Sequence, residues 1–113
     1  MEKDEISVGL YLRGDFIGNN SLEHQKEECI KKAHKLFGDN ITITFYVDEG
    51  VSARSLKGRI GLNHMILDVR MSKLDAIITY DISRISRTLT HCLCIIEEIR
   101  DSNVKFILVK ERG

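Results

Sequence analysis

Along the chain, short apolar runs alternate with longer stretches whose apolar positions recur at helical spacing. Residues 6–12 form an apolar run with charge before it and Gly14 after it, the pattern of a buried strand. Residues 13–20 hold Gly14, Gly18, Asn19 and Asn20 and read as a loop. Asn20 or Ser21 is placed to cap the following helix, and Asn20 with Glu23 has capping-box spacing. That helix is expected to run to about Phe37, with Leu22, Cys29, Ile30, Ala33, Leu36 and Phe37 on one stripe and Gly38 as its stop. Residues 41–47 are rich in β-branched and aromatic side chains and predict a second strand. A polar loop over 48–58 leads to a second helix over 60–71, with Leu62, Met65, Ile66 and Val69 on one side. Residues 75–80 predict a third strand and 104–109 a fourth. Between them, 83–101 predict a long helix with Ile85, Leu89, Cys92, Ile96 and Ile99 at alternating spacings of four and three. Strict alternation of strand and helix predicts an α/β fold: an open, mainly parallel sheet of four or more strands flanked by helices, as one domain over 1–113.

Composition narrows the function classes. The 113 residues suit one small domain, 42% hydrophobic residues allow a core, and 30% charged residues give a polar surface. Formal net charge is zero, so no global field draws the chain to nucleic acid or membrane; any anion site must come from local placement. Cys29, Cys92 and Cys94 lack CxxC spacing and read as buried or half-buried free thiols of a reducing compartment. His24, His34, His64 and His91 show no ligand spacing, so neither a metal nor a cofactor is expected. No apolar run is long enough to span a bilayer, and the charged start, Met1 to Glu5, does not resemble a signal peptide. A cytoplasmic location and no membrane partner are therefore expected. Proline is absent, for which the sequence offers no physical account.

The arginines carry the functional signal. In an open parallel sheet, ligands bind beyond the carboxyl ends of the strands. Five of the eight arginines, Arg13, Arg54, Arg59, Arg84 and Arg87, fall in the segments after the first three strands. Lysines lie mostly elsewhere, with Lys26, Lys31, Lys32 and Lys35 on the first helix. A guanidinium is a rigid fork that matches phosphate oxygens, whereas lysine is a mobile point charge. Arg84 and Arg87, three apart at an expected helix start, would share a face and oppose the helix dipole, which suggests an anionic partner. The bland alternative pairs these arginines with Asp48, Glu49 and Asp81.

Several separated motifs resemble one family. Tyr11-Leu-Arg13, Ser21-Leu-Glu-His-Gln25, Tyr46-Val-Asp48-Glu-Gly-Val-Ser52-Ala, Lys57-Gly-Arg59 and Tyr80-Asp-Ile-Ser83-Arg84-Ile-Ser-Arg87 are similar, in order and spacing, to the N-terminal catalytic domain of serine site-specific recombinases of the resolvase/invertase family. The large serine recombinases and transposon-type members are nearest in pattern, and the resemblance runs from about Ile6 to the end. It implies metal-free phosphoryl transfer on DNA: a serine hydroxyl attacks a phosphodiester, a phosphoserine link forms, a 3′-hydroxyl leaves, and the reaction reverses after strand exchange. By the same resemblance Arg13, Arg59, Arg84 and Arg87 would hold the phosphate, Ser52 and Asp48 would support the site, Gln25 would help shape it, and Tyr11 would belong to it through the opening motif. Two positions depart from the pattern. Asp15 stands where the nucleophilic serine belongs, and Ser83 stands where an acidic residue precedes Arg84. Ser83 is read as the cap of the third helix, with a relocated nucleophile as the alternative. Ser21 is likewise read as a cap or first-turn residue. An aspartate at 15 should stay charged beside arginines and be repelled by a phosphodiester.

The expected function is therefore a site-specific DNA recombinase catalytic domain with its cleavage chemistry impaired or lost. The alternatives are a catalytically inactive dimerisation or regulatory module of the same fold and an unrelated nucleotide-binding α/β protein. The last is weakened because no Gly-x-Gly-x-x-Gly or P-loop follows a strand. The family resemblance implies DNA and further copies of the chain as partners of a longer protein, with the dimerisation helix and DNA-binding region expected to lie outside these residues.

Overall fold

A computed structural model describes residues 5–14, 22–49, 59–86 and 88–110. Four strands, β1 (Ile6–Gly14), β2 (Ile41–Glu49), β3 (Ala76–Thr79) and β4 (Lys105–Leu108), alternate with three helices, α1 (Leu22–Phe37), α2 (Ile60–Arg70) and α3 (Leu89–Asp101). The sheet order is β2-β1-β3-β4, and every neighbouring pair is parallel. The expected open parallel sheet is therefore present. Its order reverses between β1 and β3, which makes the carboxyl ends of those strands the topological switch point.

Side-chain alternation on β1 divides the core in two. Val8, Leu10 and Leu12 join Ile78 against Cys29 and Ala33 of α1. Tyr11 and Ile77 face the other way, into a cluster with Leu62, Met65 and Val69 of α2 and Cys92, Ile95 and Ile99 of α3. Both faces of the central strands are covered, which is why β1 and β3 read as continuous apolar runs rather than alternating ones. β2 lies at the edge and alternates, with Phe45 and Val47 exposed. Gly61 lets α2 start close against β2: a Cβ there would lie 2.9 Å from the Val47 backbone nitrogen.

Each helix ends through a left-handed residue. Gly38 (φ 80°) follows α1, as the sequence predicts, and its N–H donates to His34 O at 2.9 Å. Ser72 (φ 58°) and Asn103 (φ 62°) do the same after α2 and α3. Lys73 N–H donates to Asp68 O and Val104 N–H to Ile99 O, closing a Schellman pattern at both ends.

Several expectations need correction. β1 and β2 each run two residues further than predicted, so Arg13 and Asp48 lie on strands rather than in loops. The stripe of α1 is narrower than expected, because Leu36 is exposed and Gln25 is buried. Cys29 and Cys92 are buried, but Cys94 is exposed. The helix expected over 83–101 is broken: Ile82–Arg84 form a 3-10 turn and α3 begins only at Leu89. Ser83 is not a helix cap; Asp81 caps the turn and Thr88 is the N-cap residue of α3. With that shift Leu89 is exposed, and Ile95 takes a core position. The break has a physical cause. Arginine side chains take the carbonyls of Ser83, Arg84 and Ile85, and the Ser86 hydroxyl accepts from Thr88 N–H at 3.1 Å, so side chains satisfy this segment in place of a helical ladder. The Asn20 and Ser21 capping assignments fall outside the described residues. Among the described residues no helix is long and apolar enough to cross a membrane.

Candidate functional site

The carboxyl end of β1 presents Tyr11 and Arg13 on the face that carries α2 and α3. Arg13 pairs in register with Asp48 of β2, and Tyr11 pairs with Tyr46 and with Thr79 of β3. The segment Asp81–Ser86 follows β3 directly, and Arg59 stands at the entrance of α2 as its N-cap residue. Strand order therefore brings three segments that are distant in sequence to one end of the sheet.

A buried polar network joins them. The Tyr11 hydroxyl donates to Asp48 Oδ2 at 2.8 Å and accepts from Arg59 Nη2 at 2.6 Å. Asp48 also accepts from Gly61 N–H (2.8 Å) and Leu62 N–H (3.0 Å), so its carboxylate satisfies orphan amides at the start of α2 where the helix dipole favours negative charge. Arg59 is 0% exposed. It donates to Arg84 O at 2.6 Å and to Ile85 O, and its guanidinium carbon lies 5.5 Å from the centre of the Tyr11 ring. Its Nε is buried with no hydrogen-bond partner among the described residues. Burial pushes the Tyr11 phenol well above its usual range; Arg59 opposes that shift and Asp48 adds to it. The phenol therefore stays protonated and serves as a bridge between a cation and an anion.

Arg13 is 1% exposed. It donates through Nε to Arg84 O and through Nη2 to Ser83 O, both at 3.1 Å. Arg84 answers with Nη1 to Arg13 O at 2.9 Å. Each arginine thus holds the other's backbone. Gln25 of α1, fully buried, completes the Arg13 backbone: its Nε2 donates to Arg13 O at 3.0 Å and its Oε1 accepts from Arg13 N–H at 3.3 Å. Cys92 braces the same turn from α3, with Sγ 3.1 Å from Ser86 O. Burial raises the Cys92 thiol above its ordinary value, a shift that the hydrogen bond to Ser86 and the charge of Arg59 oppose.

The network assembles Tyr11, Arg13, Gln25, Asp48, Arg59, Ser83 and Arg84. Asp15, Ser52 and Arg87 fall outside the described residues. Arg84 is the least buried of the three described arginines here, its side chain 12% exposed. Three guanidiniums share this end of the sheet with the carboxylates of Asp48 and Asp81 and with Glu49, the last residue of β2, so its described charges balance. What points to an anion is the gathering of rigid guanidinium forks, which match phosphate or carboxylate geometry. Among the described residues no group of three or more His, Cys, Asp or Glu side chains could hold a metal ion. Sequence reading passed over Asp81 except as a neutralising partner, and over Cys92 except as core. Asp81 had a visible signal, since it lies three residues before Arg84.

Comparison with known proteins identifies the family and the fold. Residues 10–113 match the family described as Resolvase, N terminal domain. The chain is 36% identical over 93 residues to a putative DNA recombinase of Bacillus subtilis (strain 168), an alignment covering 82% of this chain and 17% of that protein. It therefore spans a small part of the relative's length. Among solved structures, it is similar to a resolvase family site-specific recombinase from Streptococcus pneumoniae, at TM-score 0.71 and 28% identity over 92% of this chain and 72% of that one. It also superposes on the N-terminal catalytic domain of TP901-1 integrase at TM-score 0.74 and 21% identity, covering 91% of this chain and 76% of that one. The C-terminal catalytic domain of ISC1926 TnpA, an IS607-like serine recombinase, shares the fold at TM-score 0.74 and 20% identity over 95% and 72% of the two chains.

Proposed function

The chain belongs to the resolvase N-terminal domain family, and from that premise we propose that it is the phosphodiester-binding domain of a site-specific DNA recombinase that has lost strand cleavage because Asp15 occupies the nucleophile position. The observation that carries this reading is the convergence of Arg13, Arg59 and Arg84 at the switch point of the sheet, beside β1, whose last residue precedes Asp15 in sequence.

In the proposed reaction of an intact site, a hydroxyl oxygen bonds to phosphorus and gives its proton to solvent, while the 3′-oxygen departs with the P–O electron pair and takes a proton from solvent to become the 3′-hydroxyl. Negative charge spreads over the phosphoryl oxygens, and fixed guanidiniums facing it lower the barrier without reorganising. Here the guanidiniums divide the work. Arg59 and Arg13 hold the turn over 83–85 through its carbonyls, and Arg84, carried on that turn, presents charge to the phosphate. Arg87 and Ser52 belong to the same proposed site by family pattern.

Asp15 defeats the first step. Its carboxylate and the phosphodiester repel each other, and attack by a carboxylate would give an acyl phosphate prone to hydrolysis rather than resealing. A module that binds DNA or other copies of the chain without cutting is the second reading, favoured by Asp15 itself. The test is covalent capture. The protein and its Asp15→Ser variant are each incubated with a pool of randomised duplexes, and adducts are recovered after denaturation. The expected result is no adduct from the Asp15 protein and a phosphoserine adduct from the variant. An adduct on the Asp15 protein would sink the loss of cleavage, and an Asp15→Ser variant that binds the duplexes yet forms no adduct would favour the non-cutting module.

A further inference from the structure

We propose that Asp81 is the positioning carboxylate of Arg84, replacing from two residues upstream the acidic side chain that the family pattern puts at position 83. This rests on the phosphodiester-binding reading given above. Asp81 Oδ1 gathers three donors: Ser83 N–H at 3.1 Å, Ser83 Oγ at 2.6 Å and Arg84 Nε at 3.3 Å. Asp81 is extended (φ −149°, ψ 171°), so its side chain turns back over the 3-10 turn that it caps. Arg84 is thereby held at two nitrogens, Nε on Asp81 and Nη1 on Arg13 O at 2.9 Å. Nη2 is its uncommitted nitrogen among the described residues.

Holding a guanidinium this way matters because a free arginine loses much rotamer entropy when it binds. A fork already fixed on a carboxylate and a carbonyl has lost that freedom before the phosphate arrives. The Ser83 hydroxyl has a matching role. It lies on the same carboxylate oxygen and helps fix it, so the Asp81–Ser83 pair does together what one acidic residue at position 83 would do alone. A serine at 83 is tolerated because the carboxylate has moved, not because the charge is dispensable.

Asparagine caps a turn about as well as aspartate does. Asp81→Asn therefore keeps an acceptor for Ser83 N–H and removes mainly the charge facing Arg84. The experiment reads the Arg84 Nε–H signal by NMR relaxation in the unmodified chain, in Asp81→Asn, and in the exchange variant Asp81→Ala/Ser83→Asp, which moves the carboxylate and leaves no cap at position 81. In the unmodified chain the group should be as ordered as rigid backbone, with an order parameter of about 0.85, and in Asp81→Asn it should fall below about 0.6. The exchange variant should recover most of the order, a rescue that a purely capping role for Asp81 would not produce. An Arg84 signal equally ordered in Asp81→Asn overturns the proposal. If Asp81→Asn does not fold, the exchange variant decides alone: an ordered Arg84 supports the proposal and a mobile one overturns it. Titration of the unmodified chain with inorganic phosphate separates the two claims. A shift of the Arg84 signal supports the anion site, whereas no shift alongside a mobile Arg84 in Asp81→Asn would refute that reading and leave the positioning role established.

Discussion

The Tyr11 hydroxyl sits between opposite charges, donating to Asp48 and accepting from Arg59. Removing that oxygen leaves part of the hydrogen-bonding capacity of two buried ionic groups unmet, which costs more than the single bond lost. Tyr11→Phe is therefore expected to destabilise the chain by about 1–3 kcal/mol, read as a lower urea midpoint at unchanged slope. A midpoint equal to that of the unmodified chain would mean that Asp48 and Arg59 re-pair without the phenol. Tyr11 was legible in the sequence as a site residue only through family resemblance. Its bridging role was not, because the partner lies 37 residues away on another strand. Arg59 was legible as a cation after a strand, yet its donors go to a tyrosine hydroxyl and to carbonyls that no local pattern places.

Among the elements, the ends of the helices show where local signals succeed and fail. Gly38 announced the end of α1 because glycine adopts positive φ without steric cost. Ser72 adopts the same geometry after α2 against its own preference, held by the two hydrogen bonds that close the helix. Ser72→Gly is expected to raise stability by roughly 0.5–1 kcal/mol, the relief of left-handed strain outweighing the added freedom of the unfolded chain. A thermal unfolding midpoint that stays level or falls would refute the strain. The third helix failed differently. Periodicity over 83–101 was real, but it cannot register that buried arginines from elsewhere would claim the carbonyls its first turn needed. Ile85 kept its place in the core while leaving the helix.

For the molecule as a whole, the polar end of the sheet and the core beneath it share one consequence of burial. Tyr11 and Tyr46 are both pushed well up by desolvation, Tyr46 further by its hydrogen bond to Asp68. Cys29 is pushed up to about 12, mainly by burial with a smaller push from Glu28, and Cys92 is raised by burial. All four groups are held neutral in the folded chain while the unfolded chain releases their protons from about pH 8.5 for cysteine and about pH 10 for tyrosine. Their contribution is thus complete below about pH 8 and declines as pH rises. The urea midpoint should fall steadily between about pH 8 and about pH 10.5. A flat profile over that window would show that these thiols and phenols ionise as readily folded as unfolded.

The pattern of the sequence was enough, by itself, to determine an α/β chain of four strands alternating with helices, with arginines gathered about the carboxyl ends of the strands. Those features are local: they follow from which side chains repeat at two and at three to four residues, and from where turns interrupt them. Tertiary structure alone decided which ends became neighbours. The order β2-β1-β3-β4 puts Arg13 against the turn after β3, while α2 starts beside β2 through Gly61 and delivers Arg59. It also decided that Asp81 would serve Arg84, and that the start of the third helix would give way to a 3-10 turn. These outcomes depend on contacts between segments far apart in sequence. Each follows from the need of buried charges and backbone groups for partners, a demand that becomes specific only once the sheet has closed around them.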